Sequence, residues 1–119
     1  MTYVDGFVLL VPKKKLAAYT KMSKAAGKVW KEYGALDYRE CLGDDLNVPF
    51  GRSFIKLAKP KAGEAVVFSY ILYKSRAQRD KVNAKVMKDP RIAKACDPNN
   101  MPFDVKRMSM GGFKTFVSF

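Results

Sequence analysis

Between Thr2 and Val11 apolar residues occupy both alternating sets of positions, with Tyr3, Phe7, Leu9 and Val11 in one set and Val4, Val8 and Leu10 in the other. A period of two puts these sets on opposite faces of a strand, and apolar residues in both predict a strand covered on both sides. Asp5 and Gly6 are the clear interruptions, and Pro12 ends the segment because it has no N–H for the ladder. From Lys13 to Tyr33 the period changes. Leu16, Tyr19, Met22, Ala26, Val29, Trp30 and Tyr33 return at three- and four-residue steps, the stripe of an amphipathic helix. Gly34 is placed to stop it in the left-handed conformation.

Leu36 to Leu42 alternates as a half-exposed edge strand does: Leu36, Tyr38 and Leu42 face one way, Asp37, Arg39 and Cys41 the other. Residues 43–63, with Pro49, Gly51, Pro60 and Gly63, read as a long surface loop in which Ser53 to Leu57 could add a short strand. Glu64 to Tyr73 is the clearest strand, apolar on both faces. Ser75 and Gln78 form a capping box for a helix reaching about Lys88, where Asp89-Pro90 stops it, and another helical turn can follow from Pro90 to Cys96. After the turn residues Asp97-Pro98-Asn99-Asn100, a last strand is expected from about Lys106 to Val117. Gly111-Gly112 within it marks a bulge or a close backbone approach.

The order is β-α-β-β-α-β, which predicts one α+β domain over residues 1–119 with an antiparallel, ferredoxin-like sheet. In that topology the first and third strands are central, and these are the two that are apolar on both faces. Two helices cover only one sheet face. The other would leave an exposed apolar patch of several hundred Å², so pairing with a second copy as a homodimer is the expected remedy.

Composition narrows the chemistry. The chain holds no histidine. That removes Ser-His-Asp and Cys-His catalysis, histidine-ligated haem and most zinc sites, so neither a metal nor a cofactor is expected. The longest apolar run near the start, Phe7 to Val11, is too short for a membrane span or a signal sequence, and a cytoplasmic protein is expected. Cys41 and Cys96 read as structural thiols. No phosphate loop, CxxC pair or nucleophile elbow is present.

The net charge of +12 admits anionic partners. Lys14, Lys21, Lys24, Lys28 and Lys31 lie opposite the apolar stripe of the first helix. They form a candidate face for RNA or another polyanion, although a solvated face must lie there too. Phe68 and Tyr70 share an aromatic-x-aromatic spacing on the third strand, but the surrounding residues do not fit an RNA-recognition motif, so packing is favoured and nucleic acid is disfavoured. Arg79 and Asn83, four residues apart on the second helix, project together toward the protein interior, where a charge needs a partner. They are candidate anchors for a small organic ligand, with Tyr73, Asp104 and Arg107 as neighbours. Arg107 would neutralise an anionic ligand or pair with Asp104, and the alternative for Arg79 is structural pairing, for example with Asp104 or Asp5.

Several segments carry a more specific likeness: Tyr3-Val4-Asp5-Gly6-Phe7-Val8, Gly34-Ala35-Leu36, Val66-Val67-Phe68-Ser69-Tyr70, Arg79-Asp80, Asn83, Asp89-Pro90-Arg91, Met101-Pro102-Phe103-Asp104, Lys106-Arg107-Met108 and Gly111-Gly112-Phe113. In these the chain resembles the bacterial domain-of-unknown-function family 1428, the YbaA-like proteins. Val105 stands where the family motif has glycine, and Ser109-Met110 departs from the usual pair. The resemblance implies the dimeric α/β-barrel superfamily, whose ferredoxin-like protomers join through their sheets. That superfamily includes cofactor-independent monooxygenases, haem-dependent enzymes and small-ligand sensors, and fold does not choose among them. The leading expectation is a homodimer binding a small organic molecule, anionic or neutral, between sheet and helices. Cofactor-free enzymatic chemistry is left open.

Overall fold

β1 (Tyr3–Pro12) and β3 (Glu64–Tyr73) pair antiparallel over their whole length, from Tyr3 opposite Tyr73 to Pro12 opposite Glu64. This pair forms the centre of a four-stranded sheet in a computed structural model that describes residues 1–119. β2 (Asp37–Leu42) adds to the outer edge of β3, and β4 (Ser109–Lys114) to the outer edge of β1, giving the order β2-β3-β1-β4. The sheet is antiparallel throughout and the topology is ferredoxin-like, as the strand and helix order predicts.

The helices form for local reasons. A 3-10 turn (Lys13–Lys15) leads from Pro12 into α1 (Leu16–Glu32), and Gly34 takes a positive φ of 118° just past its end. Ser75 accepts a hydrogen bond from the Gln78 N–H at 3.1 Å and caps α3 (Arg76–Lys88). Asp89 then caps α4 (Pro90–Ala95), accepting from the Arg91 N–H at 2.9 Å, with Pro90 at the first helical position where a missing N–H costs nothing. The Arg91 guanidinium and backbone N–H beside Asp89 hold its carboxyl well below the usual carboxylate range.

α1, α3 and α4 cover one sheet face. Tyr3, Leu9 and Val11 of β1 and Val67, Ile71 and Tyr73 of β3 point into this layer and pack on Tyr19, Ala26, Val29, Val82, Val86 and Ile92. Gly27 is needed on α1 because the ring of Tyr38 lies where its Cβ would be. Gly112 plays the same part on β4, where a Cβ would meet the Tyr3 side chain. The β1–β4 ladder runs through it without a bulge, so close approach is the reason for that glycine. No helix is long and apolar enough to cross a membrane.

The opposite face differs from expectation. Leu10 and its cross-strand partner Val66 point away from α1 and α3, yet they are only 2% and 7% exposed. A short helix, α2 (Phe54–Ala58), lies over this part of the sheet against β1 and β3, with Phe54 edge-on to Phe68. Residues 43–63 are therefore more than a surface loop, and Ser53 to Leu57 does not extend the sheet. Ser53 caps α2 through the Lys56 N–H at 3.2 Å, and Lys59 ends it with a left-handed φ of 53°. Five residues of weak period cannot announce such a helix. The last strand is also shorter than the expected 106–117, because a 3-10 turn (Val105–Arg107) occupies its first part and the strand ends at Lys114, with Thr115 still donating its N–H to the Thr2 carbonyl at 3.0 Å.

The seat of α2 has a measurable consequence. Leu10→Ala should cost about 2–5 kcal/mol in urea denaturation, the range for a buried leucine. A cost near that of an exposed leucine would place α2 elsewhere.

Candidate functional site

β1 carries a carboxylate into the helix-covered layer. Asp5 sits opposite Ile71 on β3, and the alternation of the strand turns it toward α3, where it is 5% exposed. An ionised group there needs partners. Arg79 and Asn83, one turn apart on α3, supply them: Arg79 Nη1 lies 3.2 Å from Asp5 Oδ1, and Asn83 Nδ2 3.4 Å from Oδ2. Arg79 Nη2 reaches the Tyr3 hydroxyl at 3.4 Å, and its guanidinium lies 4.9 Å from the centre of the Tyr3 ring. Arg79 Nε is 3.0 Å from Asp80 Oδ1 but is not aligned to donate to it. Asn83 Oδ1 accepts from both Trp30 Nε1 and the Tyr73 hydroxyl, each at 3.0 Å. Two donors on one atom and a carboxylate on the other assign the amide orientation.

A second polar cluster lies toward the β2 edge. Glu40 accepts from the Tyr19 hydroxyl at 2.8 Å and from Ser23 Oγ at 2.6 Å, and the Tyr38 hydroxyl lies 2.8 Å from Ser23 Oγ. Burial, reinforced by the Glu40 charge, pushes the Tyr19 phenol well above its ordinary value. Burial pushes Tyr38 up to about 12, and burial with the Asp5 charge raises Tyr73. All three phenols stay protonated at neutral pH and can serve as hydrogen-bond donors.

Between the clusters is a cavity of about 280 Å³. Sixteen of its 22 lining residues are hydrophobic, including Phe7, Leu9, Trp30, Ile71, Phe103 and five methionines. Tyr73 and Asn83 line it. Arg79 does not; it stands behind Asp5 and holds that carboxylate in place. Asp104 and Arg107 also lie off its wall. Asp104 caps the 3-10 turn through the Lys106 N–H at 3.0 Å. Arg107 grips Glu64 through two bonds of 2.8 and 3.0 Å and donates to the Lys59 carbonyl at 3.2 Å. The expected Arg107–Asp104 pairing is replaced because the turn aims Arg107 at the start of β3. Arg107 holds the Glu64 carboxyl below its usual range.

The lysine face of α1 divides. Lys21 and Lys28 turn toward α4, while Lys24, Lys28 and Lys31 border a groove with β2 that also holds Glu32, Asp37 and Glu40. Lys31 Nζ donates to the Leu36 carbonyl at 2.8 Å, and Lys14 stays in the 3-10 turn.

Glu40 and Ser23 were missed by sequence reasoning, although a signal for Glu40 existed. It falls between Tyr38 and Leu42 on the inward face of β2, a carboxylate in an apolar alternation. Ser23 stands four residues after Tyr19 on the buried stripe, but a serine in a helix interior is too common to single out.

With this geometry in hand, the family described as "Protein of unknown function (DUF1428)" matches residues 2–105. The chain belongs to that family. "Uncharacterized protein YbaA" of Escherichia coli strain K12 is 44% identical over 119 residues, covering 98% of each chain, and its counterpart in Shigella flexneri matches equally. Among solved structures, a NIPSNAP family protein with unknown function from Agrobacterium tumefaciens superposes with a TM-score of 0.60 at 14% identity, over 96% of this chain and 87% of that one. A dimeric ferredoxin-like protein from an uncultured marine organism gives 0.51 at 14% identity, over 100% and 98%. At such identities the likeness shows the fold alone.

The Asp5–Arg79 pair makes one prediction. Arg79→Ala leaves Asp5 buried without its cation and should cost about 2–4 kcal/mol in urea denaturation. Adding Asp5→Asn should recover part of that loss. No recovery in the double variant would mean that Arg79 acts through packing on Tyr3 instead.

Proposed function

We propose that the protein is a cytoplasmic homodimer of one ferredoxin-like domain per chain that binds a small organic molecule between its sheet and its helices. The cavity of about 280 Å³ carries this reading. A largely apolar space between two polar clusters is what a small-molecule site requires, and a core built only for stability fills such space. Tyr73 and Asn83 supply the polar contacts at one end, Tyr19 and Tyr38 at the other. Asp5 and Glu40 are the two carboxylates on the wall, so cofactor-free chemistry needing a proton acceptor would draw on one of them. Glu40, at the edge strand and held only by hydroxyl donors, is the better placed, whereas Asp5 is committed to Arg79 and Asn83.

Self-association is supported by the helix-free sheet face. Phe68 and Phe113 are 45% and 64% exposed there, beside the part-exposed Phe54 and Ile55 of α2. A likeness to a protein described as a dimeric ferredoxin-like protein points the same way. The polyanion reading gains less support. The lysines do not share one face, and no aromatic residue lines the groove between α1 and α4 that holds both Lys21 and Lys28.

A thermal-shift screen of small organic compounds tests the cavity. Ala26 is buried on its wall, so Ala26→Leu should fill it, keep the fold and abolish the shift, while Asn83→Ala should reduce the shift. Shifts unchanged in both variants would put binding elsewhere. For the dimer, light scattering after size exclusion should show two chains for the wild type and one for a Phe68→Glu/Phe113→Glu variant. A monomeric wild type would remove the proposed interface.

A further inference from the structure

Charge is distributed unevenly around the cavity. Its wall carries Asp5 and Glu40; Arg39 also lines it, but the alternation of β2 turns its side chain to the other face, where it is bound to Asp37 at 2.9 Å. Arg79 is spent on Asp5. An organic anion lying wholly inside would therefore meet the buried Asp5 and the more exposed Glu40 and no free cation, which is unfavourable.

Next to the cavity lies the reverse arrangement. A groove of about 730 Å³ runs between α1 and α4, with Asn100, Met101 and Pro102 also on its wall. Five cations from both walls line it: Lys15, Lys21, Lys28, Arg91 and Lys94. No carboxylate is among its lining residues. Arg91 is paired with Asp89 and Glu32, which leaves the four lysines without a salt-bridge partner. Two elements thus converge their positive charge on one concave site, unlike a solvated stripe on a single helix. The groove floor is apolar, formed by Ala18, Met22, Ala25 and Ala95.

Met22 and Met101 belong to both walls, so groove and cavity are separated by two methionine side chains. Methionine has three rotatable bonds and no branch, which makes it a yielding partition rather than a fixed one.

We infer that the ligand is an amphiphilic organic anion, an acyl or aryl carboxylate, whose apolar body enters the cavity between Met22 and Met101 while its carboxylate stays among Lys21, Lys28 and Lys94 in the groove. This rests on the cavity reading above and adds the polarity and direction of the bound molecule. The volume suits a body of roughly nine to ten methylene-sized groups, taking about 30 Å³ for each as for a water. The groove then works as an electrostatic vestibule that draws the anion in and keeps its charge away from Asp5 and Glu40.

Calorimetric titration with decanoate and with decanol, both below their aggregation limits and in low salt, separates the possibilities. Decanoate should bind about tenfold more tightly than decanol, as expected for a few partly exposed charge contacts. A Lys21→Glu/Lys28→Glu/Lys94→Glu variant should lose that preference and leave decanol binding unchanged. The control Lys56→Glu/Lys81→Glu/Lys85→Glu, with the same change in net charge on other surfaces, should retain it. Ala26→Leu should weaken both probes. Equal binding of the two probes, both blocked by Ala26→Leu, would overturn the vestibule and leave the cavity reading intact. Decanoate binding indifferent to Ala26→Leu would overturn the body-in-cavity arrangement, and a preference surviving the Lys21, Lys28 and Lys94 reversals would overturn the role of the groove. Absence of binding by either probe would remove the cavity reading and this inference with it.

Discussion

The pairing register of β1 with β3 is the constraint on which the rest of this molecule depends. Because side chains alternate across a sheet, that register decides in one step which residues meet the helices. It sends Asp5 toward α3 together with Tyr3, Leu9 and Val11, and it sends Leu10 and Val66 to the opposite face. A slip by one residue would carry the carboxylate out of the core and drive its apolar neighbours into solvent. The ion pair with Arg79 then links the central strand to α3, so the register of the sheet and the position of the helix are coupled.

The same constraint shapes the interior. Asp5 on β1 and Glu40 on β2 both point into the helix-covered layer, one near its centre and one at its edge. Each is satisfied by neighbours from a different helix, Arg79 and Asn83 on α3 and Tyr19 and Ser23 on α1. The space between is left to flexible and aromatic side chains. Polar groups that are already paired within the protein hold a cavity open without demanding water, because their hydrogen-bonding capacity is largely used. A space bounded in this way disfavours charge brought into it.

Membership of the DUF1428 family accounts for the fold but leaves its use open, since the structural neighbours at 12–16% identity share shape and little else. Within this shape the placement of charge is uneven. Its excess of Lys and Arg, 23 against 11 acidic residues, is gathered in part into the groove between α1 and α4, whereas the cavity wall next to it is acidic. A gradient of this kind across two methionines is a feature of packing and cannot be inferred from net charge.

By itself the sequence determined the element order, both central strands, the cap of α3, its stop at Asp89-Pro90 and the inward aim of Arg79 and Asn83. Each of these follows from a period or from residues a few positions apart, and short-range geometry needs no knowledge of the whole. It also made Asp5 one of two possible partners for Arg79. Only the tertiary structure chose it over Asp104, and only the tertiary structure paired Arg107 with Glu64, set α2 on the helix-free face and joined Glu40 to Tyr19 and Ser23. The side-chain hydrogen bonds among these contacts span from 17 to 74 positions along the chain. Their partners are brought together by strand register and helix docking, which depend on every element at once, and so no local pattern can announce them.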